Sequence, residues 1–224
     1  MLVTIPEVLD KEEVRMVQEL METATFREGA ETAGSEARRV KNNHEMFISE
    51  IETQRLNNLV MGKLVRNPDY IAAAFAARIA APIYAKYTPG MYYGNHVDDP
   101  VMGPPGQRYR SDISITIFLN DPEDYEGGEL VITTTFGEQK IKLAAGDAVL
   151  YPSSSTHRVA EVTKGERIVA VTWLQSTVRE PAKREILYNL AKAREGLIES
   201  APGSAELELL SNSYVNLVRM WTEI

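Results

Sequence analysis

Eight short runs between residues 78 and 174 constrain the fold of this chain more than any other feature. They are Arg78–Tyr87, Tyr92–Val97, Ser111–Leu119, Glu129–Thr134, Glu138–Lys142, Ala148–Tyr151, His157–Val162 and Arg167–Leu174. Each is rich in β-branched and aromatic residues, and Gly, Pro and Asp turns separate them, most clearly at Asp121–Gly128 and Ala144–Asp147. No run of this length can bury a core alone. Eight of them close most simply as two packed sheets, a jelly-roll. Asp99–Arg110 (DPVMGPPGQRYR) interrupts them as a Gly/Pro-rich loop, a candidate active-site lid.

Helical patterns flank the strand region. Asp10 and Glu13 read as a capping box before the stripe Val14, Val17, Leu20, Met21. A second helix is expected from about Ser49 to Val65, ended by Asn67-Pro68, and a short Ala-rich one from Tyr70 to about Ala76. After Pro181, Ile186, Leu187, Leu190, Ala193 and Leu197 form one stripe. Pro202-Gly203 breaks it, and Ser204 caps a last helix carrying Leu207, Leu210, Tyr214, Leu217 and Trp221. That stripe docks either on the protein's own sheet or across a homodimer contact. The expected fold class is therefore α+β, mainly β. It has a double-stranded β-helix (jelly-roll) core, N-terminal helices packed on it and a C-terminal helical extension. The domain is expected over residues 1–180 and the extension over 181–224.

Composition narrows the chemistry. The chain of 224 residues has no cysteine, which excludes disulfides, thiolate nucleophiles and Cys-ligated zinc or iron–sulfur sites. Its net charge of −8 argues against a surface that tracks phosphates. The start MLVTIPEVLD lacks a basic, then apolar, leader pattern, and Ile71–Tyr84 is too short and polar to span a bilayer. A cytoplasmic protein with no membrane and no nucleic-acid partner is expected. The metal-ligand inventory is small: His44, His96, His157 and the carboxylates.

His96-Val97-Asp98 puts an imidazole and a carboxylate two residues apart in an expected strand, hence on one face. His157 opens another strand. Two histidines and one carboxylate are the facial triad of non-haem Fe(II) oxygenases, which leaves coordination positions open for a co-substrate and O₂. Arg167 follows ten residues after His157, across a turn at Thr163–Glu166, and a hairpin would return it beside the metal strand. Arg167, Val169, Val171 and Trp173 share a face there. A guanidinium so placed can fork onto a carboxylate. Trp173 and Tyr151 read as core residues. Arg38, Arg39 and Lys41, with Asn42 and Asn43, form either a solvated loop or a substrate-side wall.

With those residues in place, the chain resembles the 2-oxoglutarate- and Fe(II)-dependent dioxygenases. More closely it resembles the bacterial PKHD-type hydroxylases, a prolyl-hydroxylase-like family linked with iron uptake. The matching segments are Val40–Asn43, Tyr92–Asp98, Asp112–Ser114, Phe118-Leu119, Asp124–Leu130, Leu150–Ser155, Trp173, Gln175-Ser176 and Trp221–Ile224. They span essentially the whole chain, in order.

The resemblance implies that His96, Asp98 and His157 bind Fe(II). It implies that Arg167 binds the distal carboxylate of 2-oxoglutarate and that Tyr87 lies near that co-substrate. The enzyme it implies consumes O₂, uses L-ascorbate as a rescuing reductant, releases succinate and CO₂, and hydroxylates a peptidyl, amino-acid or siderophore-like substrate. Relatives often carry a second co-substrate tyrosine where this chain has Phe118, and Ser114 or Thr116 could replace its hydroxyl. His44 falls at a position that implies a pocket rim or surface, not a ligand. Two alternatives stay open: a nucleic-acid demethylase on the same scaffold, and a non-catalytic metal-binding jelly-roll protein.

Overall fold

The computed structural model describes residues 1–34 and 37–224. Two antiparallel sheets face one another. The larger runs in the order Val3–Ile5, Ala148–Pro152, Ile113–Phe118, Arg167–Ser176, Ile83–Tyr87, His44–Phe47 and Thr25–Glu28, with Ala76–Ile79 also paired to Arg167–Ser176. The smaller runs Gly137–Ile141, Leu130–Thr134, His157–Val159, Tyr92–His96 and Lys41–Asn42. This is the expected jelly-roll arrangement with helices added.

Strand alternation divides the core. Along Ile113–Phe118, Ile113, Ile115 and Ile117 face the helices, where they join Val14, Val17, Leu56, Val60 and Tyr70. Phe118 points the other way, into the space between the sheets, with Tyr87, Leu130, Ile132, Tyr151 and Val169. The large sheet is thus buried on both faces at its centre, so Ser114 and Thr116, which alternate with the isoleucines of Ile113–Phe118, are as buried as they are.

The capping signals work as read. The Asp10 carboxylate accepts from the backbone N–H of Glu13, and the Glu13 carboxylate accepts from that of Asp10, at the start of the helix Lys11–Thr23. Ser49 and Glu52 repeat the device before Glu50–Leu64. The short helix is Pro68–Ala74, two residues earlier than expected, because Asn67 caps it and Pro68 occupies its first turn. Two expected strands are each two strands. Arg78–Tyr87 breaks at Pro82, which has no N–H for the ladder, and His157–Val162 breaks before Val162–Gly165, which pairs with Tyr125–Gly127 instead. Thr25–Glu28, Lys41–Asn42 and His44–Phe47 extend the sheets and had no expected counterpart.

The helix Pro181–Ser200 seats Leu187, Ala191 and Arg184, and Arg184 donates to the carbonyls of Val178 and Arg179 at 2.7 and 2.8 Å. The final helix, Ala205–Trp221, packs mainly on Pro181–Ser200. Leu207, Leu210, Tyr214, Leu217 and Trp221 are its half-buried stripe. Among the described residues no helix is long and apolar enough to cross a membrane.

Candidate metal centre

His96 ends the strand Tyr92–His96, His157 begins its neighbour His157–Val159, and the two are direct register partners. Antiparallel pairing alone therefore brings the imidazoles together, with ring centroids 4.2 Å apart. Asp98 lies just beyond the strand end and not within it. It still completes the cluster: its Oδ1 is 3.8 Å from His96 Nε2 and its Oδ2 is 3.8 Å from His157 Nε2. Among the described residues these three form the one cluster of metal-ligating side chains, with ligand atoms within 4.8 Å of one another.

The surroundings fix each ligand. His96 Nδ1 lies 2.8 Å from the Gly94 carbonyl and His157 Nδ1 lies 3.0 Å from that of Ser155. An N–H on Nδ1 in both rings leaves each Nε2 lone pair free toward the centre. His96 Nε2 is buried and has no hydrogen-bond partner, as a ligand awaiting a cation should be. Ser114 donates to Asp98 Oδ2 and lies 2.8 Å from Ser153 Oγ, so its hydroxyl serves the carboxylate and is not free to replace a tyrosine. Burial, reinforced by His157, pushes His96 down to about 4, which keeps it neutral at pH 7. Two imidazoles and a carboxylate fit a divalent metal with open positions.

A cavity of about 630 Å³ opens from this cluster. Arg167 lines it from the opposite sheet. The hairpin expected between His157 and Arg167 does not form. The intervening strand Val162–Gly165 turns away to pair with Tyr125–Gly127, and the chain crosses to the other layer. Arg167 thus faces the histidines across the gap. It is 1% exposed, its Nε and Nη1 have no hydrogen-bond partner, and among the described residues it has no ion pair. A buried cation in this state is costly unless an anion completes it. Tyr87 is its register partner, with the guanidinium 5.0 Å from the ring centre. Burial pushes the Tyr87 hydroxyl up to about 12 against the opposing pull of Arg167, so it remains a donor.

Of the two readings open for the Arg38–Asn43 cluster, Lys41 and Asn43 follow the substrate-side wall, and sequence reasoning missed only their neighbour Glu45. Lys41, Asn43 and Glu45 alternate along a segment that pairs with Tyr92–His96 at one end and Ile83–Tyr87 at the other, bridging both sheets, and all three line the cavity. Glu45 is 2% exposed and accepts from Lys41 Nζ at 2.5 Å and Thr32 Oγ1 at 2.7 Å. Of the basic cluster, Lys41 lines the cavity, while Arg38 donates to the carbonyls of Ala30 and Glu31. The polar alternation from Lys41 to Glu45 was the available signal, but it resembles a solvated edge. Trp173 and Tyr151, expected in the core, line the cavity as well. The Asp99–Arg110 loop forms a small hairpin, Val101–Met102 with Tyr109–Arg110, and supplies Met102 and Tyr109 to the rim. His44 is 3.5 Å from Glu28 and outside the cavity lining.

The 2OG-Fe(II) oxygenase superfamily matches residues 82–175. Over the full length of both chains, the sequence is 48% identical to a PKHD-type hydroxylase of Thioalkalivibrio sulfidiphilus and 42% identical to one of Synechococcus elongatus. Among solved structures, a Pseudomonas putida prolyl-4-hydroxylase covers 78% of this chain and 92% of its own, with TM-score 0.52 and 18% identity. A Trichoplax adhaerens prolyl hydroxylase, solved with a hypoxia inducible factor peptide fragment, covers 83% and 86%, with TM-score 0.57 and 18% identity. At that identity the structural likeness speaks to the fold.

Proposed function

The chain belongs to the PKHD-type hydroxylases of the 2OG-Fe(II) oxygenase superfamily, and on that premise we propose that His96, Asp98 and His157 hold Fe(II) while Arg167 holds the distal carboxylate of 2-oxoglutarate. One observation carries this reading. An unpaired buried guanidinium and an unpaired buried imidazole nitrogen face each other in a single cavity. Leaving such groups unsatisfied costs about 1–3 kcal/mol each, more for a charge. A metal held by the cluster at one end and a dicarboxylate held by Arg167 at the other would relieve both.

When bound, iron and 2-oxoglutarate supply an O₂-dependent oxidation that releases succinate and CO₂ and hydroxylates the substrate. The chain's own residues do the rest. Ser114 and the carbonyls of Gly94 and Ser155 orient the ligands. Tyr87, held protonated, donates toward the co-substrate. The buried walls exclude water, and the Asp99–Arg110 hairpin covers the rim. Ascorbate as the rescuing reductant rests on family resemblance.

The substrate is a small molecule or a peptide side chain. The cavity size supports this, as does the peptide held by the Trichoplax relative. The net charge of −8 argues against a nucleic acid. The test is a screen of free amino acids, short peptides and siderophore-like hydroxamates by mass spectrometry. The expected hit gains one oxygen and forms succinate mole for mole. Succinate release that no candidate stimulates, with no oxygen inserted into any, would count against these classes.

A further inference from the structure

Tyr125 has no place in the roles above, yet it is buried beside the anchoring arginine. It is 3% exposed, and its hydroxyl makes no hydrogen bond of ordinary geometry but lies near enough to Arg167 for a weak one to act on it. Two contacts fix its ring. Lys142 Nζ donates to the Tyr125 carbonyl at 2.6 Å and sits 3.9 Å from the ring centre. The second is Gly128, at φ +68°, where a Cβ would stand 3.0 Å from the Tyr125 ring and 3.1 Å from Arg167 Cδ. A side chain at 128 would wedge the two apart, and glycine lets the tyrosine ring and the arginine stem approach over bare backbone. Burial raises the Tyr125 hydroxyl and the Arg167 charge opposes that rise, so the phenol stays protonated at neutral pH and its oxygen remains an acceptor. Phe118 offers the guanidinium only a ring, 5.7 Å away.

We infer that Tyr125 is a positioning residue for Arg167: its hydroxyl oxygen accepts from the guanidinium and so aims the remaining N–H groups at the distal carboxylate of the co-substrate. The inference rests on the co-substrate reading of Arg167. An arginine side chain on a flexible stem loses much rotamer freedom when it docks a carboxylate in a fork. One acceptor behind it both satisfies a buried N–H and removes some of that freedom in advance. The hydroxyl that Phe118 cannot supply is thereby provided from a different strand.

The test is anaerobic calorimetric titration of 2-oxoglutarate and of 2-oxobutyrate into the Fe(II)-loaded protein. 2-Oxobutyrate keeps the chelating end and lacks the distal carboxylate. Tyr125→Phe should weaken 2-oxoglutarate about tenfold, the scale of one charge-assisted hydrogen bond, and leave 2-oxobutyrate unchanged. Gly128→Ala should produce the same selective loss by separating the pair. If Tyr125→Phe keeps the wild-type preference, or weakens both acids equally, the inference is wrong. Wild type without a preference, or Arg167→Met with the full preference, refutes the reading of Arg167 itself.

Discussion

Tyr93 lies flat on the imidazole of His96, with centroids 3.7 Å apart and planes diverging by 14°. The stack and the Gly94 carbonyl together hold His96 Nε2 toward the centre. Tyr93→Phe should keep the stack and bind Fe(II) like wild type. Tyr93→Ala should bind it about tenfold more weakly, as loss of a ligand's outer support typically does. Competition with a chromophoric chelator measures this. Equal affinity in both variants would show that the stack is incidental.

Ser114 is the protein donor to Asp98 at the centre. Ser114→Ala should raise the Fe(II) dissociation constant about tenfold. It should lower stability by about 1.5–3 kcal/mol, the worth of a hydrogen bond to a charged group. Metal affinity and urea unfolding, read on the same variant, separate the two effects.

Lys41 neutralises Glu45 where both are almost without solvent, at 10% and 2% side-chain exposure. Lys41→Met strands a buried carboxylate and should cost about 3 kcal/mol in urea unfolding. Adding Glu45→Gln should recover most of that loss. A Lys41→Met protein as stable as wild type would show that the pair is effectively solvated.

Tyr70 sits in the core between the helices and the large sheet, 3% exposed, with an unpartnered hydroxyl. Burial pushes its hydroxyl up to about 12, against roughly 10 in the unfolded chain. The folded protein keeps a proton that the unfolded chain has lost, so this contribution is intact below about pH 10 and is lost as pH rises toward 12. Tyr70→Phe removes both the titration and the unsatisfied group. It should be more stable by about 1 kcal/mol at pH 7 and by a larger margin at pH 11. Urea midpoints at the two pH values check it, and no gain at either would contradict it.

The His96, Asp98, His157 cluster was legible because its spacing is local. His96 and Asp98 sit two residues apart, and His157 opens a strand after an evident turn. That Arg167 shares a site with the cluster was legible, but its route was not. The loop length allows a hairpin, and only the pairing of Val162–Gly165 with Tyr125–Gly127 sends the chain across to the other sheet. Thr25–Glu28 and His44–Phe47 were illegible because each is short, half-exposed and stabilised by pairing with the other and, for His44–Phe47, with Ile83–Tyr87, a contact remote in sequence. Of the Lys41, Asn43, Glu45 wall, the first two were legible as one of two readings and Glu45 was hidden, for a related reason. Its polar side chain faces inward, which a hydrophobic pattern cannot reveal.

The central claim is that one cavity holds Fe(II) on His96, Asp98 and His157 and 2-oxoglutarate against Arg167. The most direct measurement is the visible spectrum of the Fe(II)-loaded protein as 2-oxoglutarate is added without oxygen. Wild type should develop the weak charge-transfer band of the chelate, Arg167→Met should need far more 2-oxoglutarate to do so, and His157→Ala should show none. A wild-type protein without the band, or a His157→Ala protein that retains it in full, would contradict the account.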